Sequence, residues 1–202
     1  MSESTPAPKS GTPDALVAQW IETEPECAST ARDSYHYLEV RPPTPTVYVK
    51  MSRSGKRINP ALLETFAKLV LGELPWPLFL HGDAGTGKTR AALYFCDCVE
   101  SATYHTAEQI ADAIMDSRFP DLTPYALIVL DELAERTKSS DLGYQAVKRV
   151  LDQRERHNHN AMVIVSNFAP DDLEEVYDGR IVSRLKAGTI FHLQAKDRRA
   201  AQ

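Results

Sequence analysis

Residues 82–89 read GDAGTGKT, and no other stretch limits the possible folds of this chain as strongly. Gly82, Gly87, Lys88 and Thr89, with Gly85 as an additional glycine, fit the spacing G-x-x-x-x-G-K-[ST] of a phosphate-cradling loop. Glycine permits backbone conformations that a Cβ forbids. Successive N–H groups along Gly82, Asp83, Ala84, Gly85, Thr86 and Gly87 can therefore converge on phosphate oxygens. Lys88 would add a point charge at the β/γ-phosphates, and the Thr89 hydroxyl would sit on Mg²⁺. The start of a following helix would contribute its unpaired N–H groups and positive dipole end. Four fixed positions also arise by accident, as a tight turn with an incidental lysine, so the flanks decide.

The flanks have the order such a loop needs. Leu78, Phe79 and Leu80 form a short apolar run after Pro75 and Pro77, as a buried strand does. After Thr89, the residues Ala91, Ala92, Leu93, Phe95, Cys96 and Val99 keep helical spacing without Gly or Pro. Strand, loop and helix in this sequence is the arrangement of a phosphate site.

Composition narrows the class. The chain has 202 residues, 43% hydrophobic and 25% charged, which suits one soluble domain with an appended arm. No apolar run approaches a spanning helix, and the opening MSESTPAPKSGTPD lacks the apolar stretch of a secretory signal. Cys27, Cys96 and Cys98 make no metal-ligand set and read as reduced packing residues, so a cytoplasmic location without membrane contact is expected. The formal net charge of −5 argues against wholesale coating of nucleic acid. Basic residues do gather in KMSRSGKR (50–57) and among Arg180, Arg184, Lys186, Lys196, Arg198 and Arg199. Such patches serve either phosphate contact or simple solvation.

Along the chain, residues 1–13 are Ser/Thr/Pro-rich and expected to be disordered, and 14–58 form an arm of unknown role. That arm contains a short amphipathic helix around Ala15–Glu22, the breaker RPPTPT (41–46) and a possible strand in TVYVKM. Asn59 and Pro60 announce a helix continuing to Gly72. Strands are then expected at 78–81, 102–105, 126–130, 162–166 and 189–193. Helices are expected near 88–99, 107–116, 141–157, 171–176 and 180–186. This alternation predicts an α/β fold: a P-loop NTPase with a five-stranded parallel sheet between helices and its ligand at the carboxyl ends of the strands.

Three further segments fall at those ends. ALIVLDEL (126–133) is an apolar strand expected to stop at two carboxylates. Buried carboxylates are costly unless met by positive or polar partners. Asp131 would hold Mg²⁺ through water, and Glu132 would orient or deprotonate an attacking water. Taken alone, such a pair also suits a surface turn. AMVIVSNFAP (161–170) stops at Ser166 and Asn167, either of which could bond the water or a γ-phosphate oxygen; Asn167 could equally turn the chain before Pro170. In GRIVSRLKAGTIFHL (179–193), Arg180 and Arg184 share a helix face. A guanidinium supplied from a neighbouring subunit would stabilise transition-state charge, whereas an exposed helical arginine often does nothing.

GDAGTGKT, ALIVLDEL, VSN and GRIVSRL in this order resemble the AAA+ ATPases of the DnaC/IstB-like group, bacterial helicase loaders and transposition helpers. VLDQRERHNHNAMVIVSN (150–167) and the terminal LQAKDRR are similar to further family segments, so the resemblance covers residues 59–199. It implies an ATP-binding domain that uses ATP and Mg²⁺, assembles as a homo-oligomer, engages DNA and recruits a replicative helicase or transposase. Carried over residue by residue, it makes Lys88 and Thr89 the phosphate and magnesium residues, Asp131 and Glu132 the Walker B pair, and Asn167 the sensor. Arg184 becomes the trans-acting finger, with Arg180 the second candidate. Ala134 stands where the family commonly has glycine, Arg198 stands where an aromatic is usual, and no C-terminal lid domain is expected. A P-loop kinase or regulatory ATPase without a DNA role is the alternative, although no arginine-rich acceptor lid is present.

Overall fold

The computed structural model describes residues 58–99, 101–134, 141–156 and 161–194, and the backbone of 37–40 and 47–50. The expected disordered start (1–13), the helix at 15–22, the basic residues 51–57 and the tail 195–199 lie outside the described residues. Within the arm, β1 (Tyr37–Val40) pairs antiparallel with β2 (Val47–Lys50), with Tyr37 opposite Lys50. β2 falls inside TVYVKM.

Helix α1 (Pro60–Val70) begins where Asn59 predicts: its Oδ1 accepts from the N–H groups of Ala61 and Leu62, and Pro60 occupies the first turn. It buries Leu62, Leu63, Phe66, Leu69 and Val70. The main domain continues through β3 (Leu78–His81), α2 (Lys88–Cys98), β4 (Ala102–Thr106), α3 (Ala107–Met115) and β5 (Leu127–Leu133). It ends with α4 (Asp141–Arg156), β6 (Met162–Ser166), a 3₁₀ turn at Asp172–Glu175, α5 (Gly179–Lys186) and β7 (Thr189–His192). Thr106 and Gln109 form a reciprocal capping box at the start of α3.

The five strands are parallel, in the order β4-β5-β6-β3-β7. The loop-bearing strand β3 is interior, flanked by β6 and β7. Alternation along it sends Leu78 and Leu80 into a core with α1 and α2, where the Phe66 and Phe95 rings stack at 4.0 Å. Phe79 goes into the opposite core with Ile110, Val147 and Leu185 from α3, α4 and α5. Each fully buried Leu or Phe contributes about 1.5–3 kcal/mol.

Two expectations need correction. Residues 171–176 form only a four-residue 3₁₀ turn, because Asp171 makes no side-chain cap and the chain reaches Asp178, which caps α5 instead. The strand expected to stop at Asp131 runs on to Leu133. Three residues of β5 there advance against two of β6, from Leu130↔Ile164 to Leu133↔Ser166. Pairing with β6 thus carries the strand past its carboxylates as a bulge. Among the described residues, no helix is long and apolar enough to cross a membrane.

Candidate functional site

The octet leaves β3 at the carboxyl edge of the sheet. Gly82 has φ +145°, and a Cβ there would lie 2.4 Å from the Leu193 carbonyl oxygen. Only glycine lets the loop turn so close to the exit of β7, where Leu193 N–H donates to the His81 carbonyl at 2.7 Å. Gly87 has φ +101° with open space where a Cβ would project, directly before α2. Of the loop's own N–H groups, that of Thr86 reaches a backbone partner within it, the Asp83 carbonyl at 3.4 Å. The Thr86 hydroxyl donates to the same oxygen at 2.9 Å. Lys88 is buried, and its Nζ crosses the loop to donate to the carbonyls of Gly82 (2.7 Å) and Asp83 (2.8 Å). Thr89 is exposed on the first turn of α2. A glycine-lined concavity, a helix start and a lysine folded over the loop suit a phosphate chain in their donor chemistry.

Asp131 lies on β5, two strands away, and is only 2% exposed. Its Oδ1 accepts the Glu132 N–H at 2.7 Å and its Oδ2 accepts the Tyr104 hydroxyl at 2.7 Å. Burial, reinforced by the bond to Asp131, pushes the Tyr104 pKa well above its ordinary value. The bulge places Glu132 at φ +58° with its side chain exposed, and Ala134 at φ +68° with its side chain buried. Both are conformations that side chains adopt at a cost. The position where the resembled family commonly has glycine therefore requires a left-handed backbone, which alanine here supplies under strain.

The register sets His81 beside Ser166, so Asn167 follows β6 at the level where the loop begins. Asn167 is half-buried there. Ser166 serves the fold: its hydroxyl donates to the Leu133 carbonyl at 2.9 Å and accepts the Phe168 N–H at 3.1 Å, which pins the bulge. The fold thus brings the octet, Asp131, Glu132 and Asn167 to one edge.

It does not bring Arg184 there. Arg184 lies in the last turn of α5, which feeds the start of β7. Its partners lie near the end of α4, which feeds the start of β6, so they sit toward the opposite edge. Nη1 binds Asp152 at 2.7 Å and Nε binds Glu155 at 2.9 Å. The bond to Asp152 is the main reason its pKa rises. Arg180 is exposed in the first turn of α5.

Sequence reasoning singled out neither Tyr104, nor the stacked His81 and His192 rings (4.6 Å), nor the structural part played by Arg154. Burial, then His192, lowers the His81 pKa. Arg154 did leave a signal, since it continues the buried spacing Val147, Val150, Leu151 of α4. Two open depressions of about 430 and 520 Å³ run along α4, lined by Tyr144, Lys148, Arg149, Gln153 and Arg156, and neither touches the octet.

A scan of protein-family models gave no match, and no curated protein matches the sequence. Solved structures do match. AMPPCP-bound DnaA from Aquifex aeolicus is similar over 67% of this chain and 47% of that one, at 19% identity and a TM-score of 0.55. A DNA replication initiation factor is similar over 67% and 46%, at 19% identity and a TM-score of 0.57. DnaI is similar over 71% of this chain and 90% of that one, at 18% identity and a TM-score of 0.54. The chain has the AAA+ P-loop NTPase fold. It spans about half the length of the first two of these structures. The resemblance to DnaC/IstB-like AAA+ ATPases carried by the motifs fits these neighbours. Within that fold the GDAGTGKT loop, the Walker A candidate, follows β3, Asp131 and Glu132 lie on β5, and Asn167 follows β6.

Proposed function

We propose that this chain binds and hydrolyses ATP and acts on DNA, as a helicase loader or transposition helper, through an assembly of its own copies. The observation that supports this most is the meeting of the Walker A loop, Asp131, Glu132 and Asn167 at one sheet edge on three non-adjacent segments. A structural turn with an incidental lysine would not need the other two segments. Neighbours described as DnaA bound to AMPPCP, and as replication initiator DnaA bound to AMPPCP and single-stranded DNA, support the nucleotide and DNA parts of the reading.

In this reading the backbone of residues 82–89 holds the phosphates, and Lys88 exchanges its loop carbonyls for β/γ-phosphate oxygens. Thr89 and Asp131 would hold Mg²⁺, which when bound neutralises charge developing on the phosphates. Exposed Glu132 orients the attacking water and takes its proton. Asn167, one residue beyond β6, fixes that water or a γ-phosphate oxygen. Arg184 lies toward the far edge, so it serves another copy's nucleotide or none. Arg180 is the second candidate for that role.

Nucleotide binding and turnover, measured with and without DNA, test the proposal. Glu132→Gln is expected to keep Mg·ATP affinity and to lose turnover by about 10²-fold or more. Arg184→Ala and Lys88→Ala are each expected to be inactive, and mixing them is expected to restore part of the DNA-stimulated rate. Turnover by the Gln variant at the parent rate would remove Glu132 from its role. Concentration-independent phosphate transfer to a small acceptor would replace the proposal with a kinase.

A further inference from the structure

Asp131 is buried, and each of its oxygens already accepts one hydrogen bond: Oδ1 from the Glu132 N–H and Oδ2 from the Tyr104 hydroxyl, both at 2.7 Å. The first donor belongs to the next residue and would accompany almost any side chain there. The second comes from a different strand. β4 and β5 pair in parallel with Tyr104 opposite Val129 and Thr106 opposite Asp131. Tyr104, Val129 and Asp131 therefore share one face of the sheet. That face is the one covered by α2, whose first residues are Lys88 and Thr89. Tyr104 packs against the apolar cluster on this face, so its ring is held while its hydroxyl reaches diagonally to the carboxylate.

A carboxylate has about four acceptor directions, and two donors here fix its rotation and leave one direction open on each oxygen. Without the tyrosine the carboxylate would have one donor fewer and turn more freely. We infer that Tyr104 is a positioning residue for Asp131, holding the carboxylate in the orientation that receives Mg²⁺ and its waters together with ATP. This rests on the nucleotide-binding reading above and assigns the metal dependence of that site to a residue outside its motifs. Partners of this kind commonly change metal affinity by about 10–100-fold when removed. Tyr104 touches neither nucleotide nor metal in this account, so metal-free nucleotide affinity is independent of it.

The experiment is an equilibrium titration of the full chain with a fluorescent ATP analogue, in EDTA and across a Mg²⁺ series. Tyr104→Phe is expected to match the parent in EDTA and to need about tenfold or more Mg²⁺ for the same gain in affinity. Asp131→Asn should show the same loss, and adding Tyr104→Phe to it should change nothing further. A parent-like Mg²⁺ series for Tyr104→Phe overturns the inference, as does an additive double variant. A parallel measurement uses the parent labelled with ¹³C at tyrosine Cζ, so it stands even if the Phe variant does not fold. The Tyr104 signal is expected to move when Mg²⁺ joins the ATP complex, and a signal that stays in place overturns the inference. If the parent binds no ATP in either condition, the nucleotide reading fails and takes this inference with it. If Asp131→Asn loses the Mg²⁺ response while Tyr104→Phe keeps it, only the inference fails.

Discussion

Replacing Arg154 by methionine is expected to destabilise the domain by about 3 kcal/mol without touching the nucleotide edge. Arg154 is 1% exposed, and among the described residues its guanidinium meets backbone carbonyls rather than a carboxylate. Nη1 donates to the Tyr125 carbonyl at 2.7 Å, with Leu122 at 3.4 Å, and Nη2 donates to Ala126 and Ala161 at 3.1 Å each. Arg154 thereby ties the end of α4 to the starts of both β5 and β6. The three shorter bonds, from a charged donor, are worth about 2 kcal/mol each. Against this, burial pulls the Arg154 pKa down to about 10, and removing the charge recovers about 3 kcal/mol of that cost. Among the described residues Nε has no hydrogen-bond partner, so methionine loses nothing there. The carbonyls remain after the substitution, which is why the exchange is unfavourable although buried ion pairs are often replaced by apolar groups at little cost. With a urea m-value of about 2 kcal/mol/M, the midpoint followed by circular dichroism should fall by about 1.5 M. A midpoint within about 0.3 M of the parent would refute the idea that these bonds hold the two strand starts.

Gly87→Ala has room for its methyl group but must adopt φ +101°. It is expected to lose about 1–3 kcal/mol of stability and, because relief of that strain would reshape the loop directly before α2, most of the calorimetric heat with ATP. A folded Ala variant with parent affinity would show that the concavity is not the phosphate site. Asp178 caps α5, and its pKa is lowered first by the Tyr144 hydroxyl bond and then by the N–H groups of Ile181 and Arg180. A depressed carboxylate stabilises the fold above its ordinary pKa of about 4, and that contribution disappears as pH falls through the lower folded value. Asp178→Asn should therefore flatten the acid limb of thermal stability below about pH 4, and identical acid limbs would contradict the assignment.

Much of this arrangement could be read from residue order. The octet was legible because its chemistry lies within eight consecutive residues. α1 was legible because Asn59, Pro60 and the apolar spacing from Leu62 to Val70 are local signals. The strands of the main sheet were placed to within a residue at most ends, since a parallel strand buried on both faces reads as a short apolar run. The exception is instructive. Asp131 and Glu132 look like a strand end because charge follows apolar residues, yet β5 continues because Ser166, 33 residues away, bonds the Leu133 carbonyl. Tyr104 gave no signal at all, because half-exposed polar aromatics are ordinary on an edge strand.

The sequence by itself determined the alternation of strands and helices, the glycine loop and the identity of the carboxylates, amide and arginines available for chemistry. Those depend on neighbours within about one helical turn or one strand. Only the tertiary structure decided that β3 lies between β6 and β7, that β5 bulges at Glu132, that Tyr104 holds Asp131, and that Asp152 and Glu155 hold Arg184. Each of these depends on which distant segments meet, and a parallel sheet makes its pairings across long crossovers that local composition does not encode.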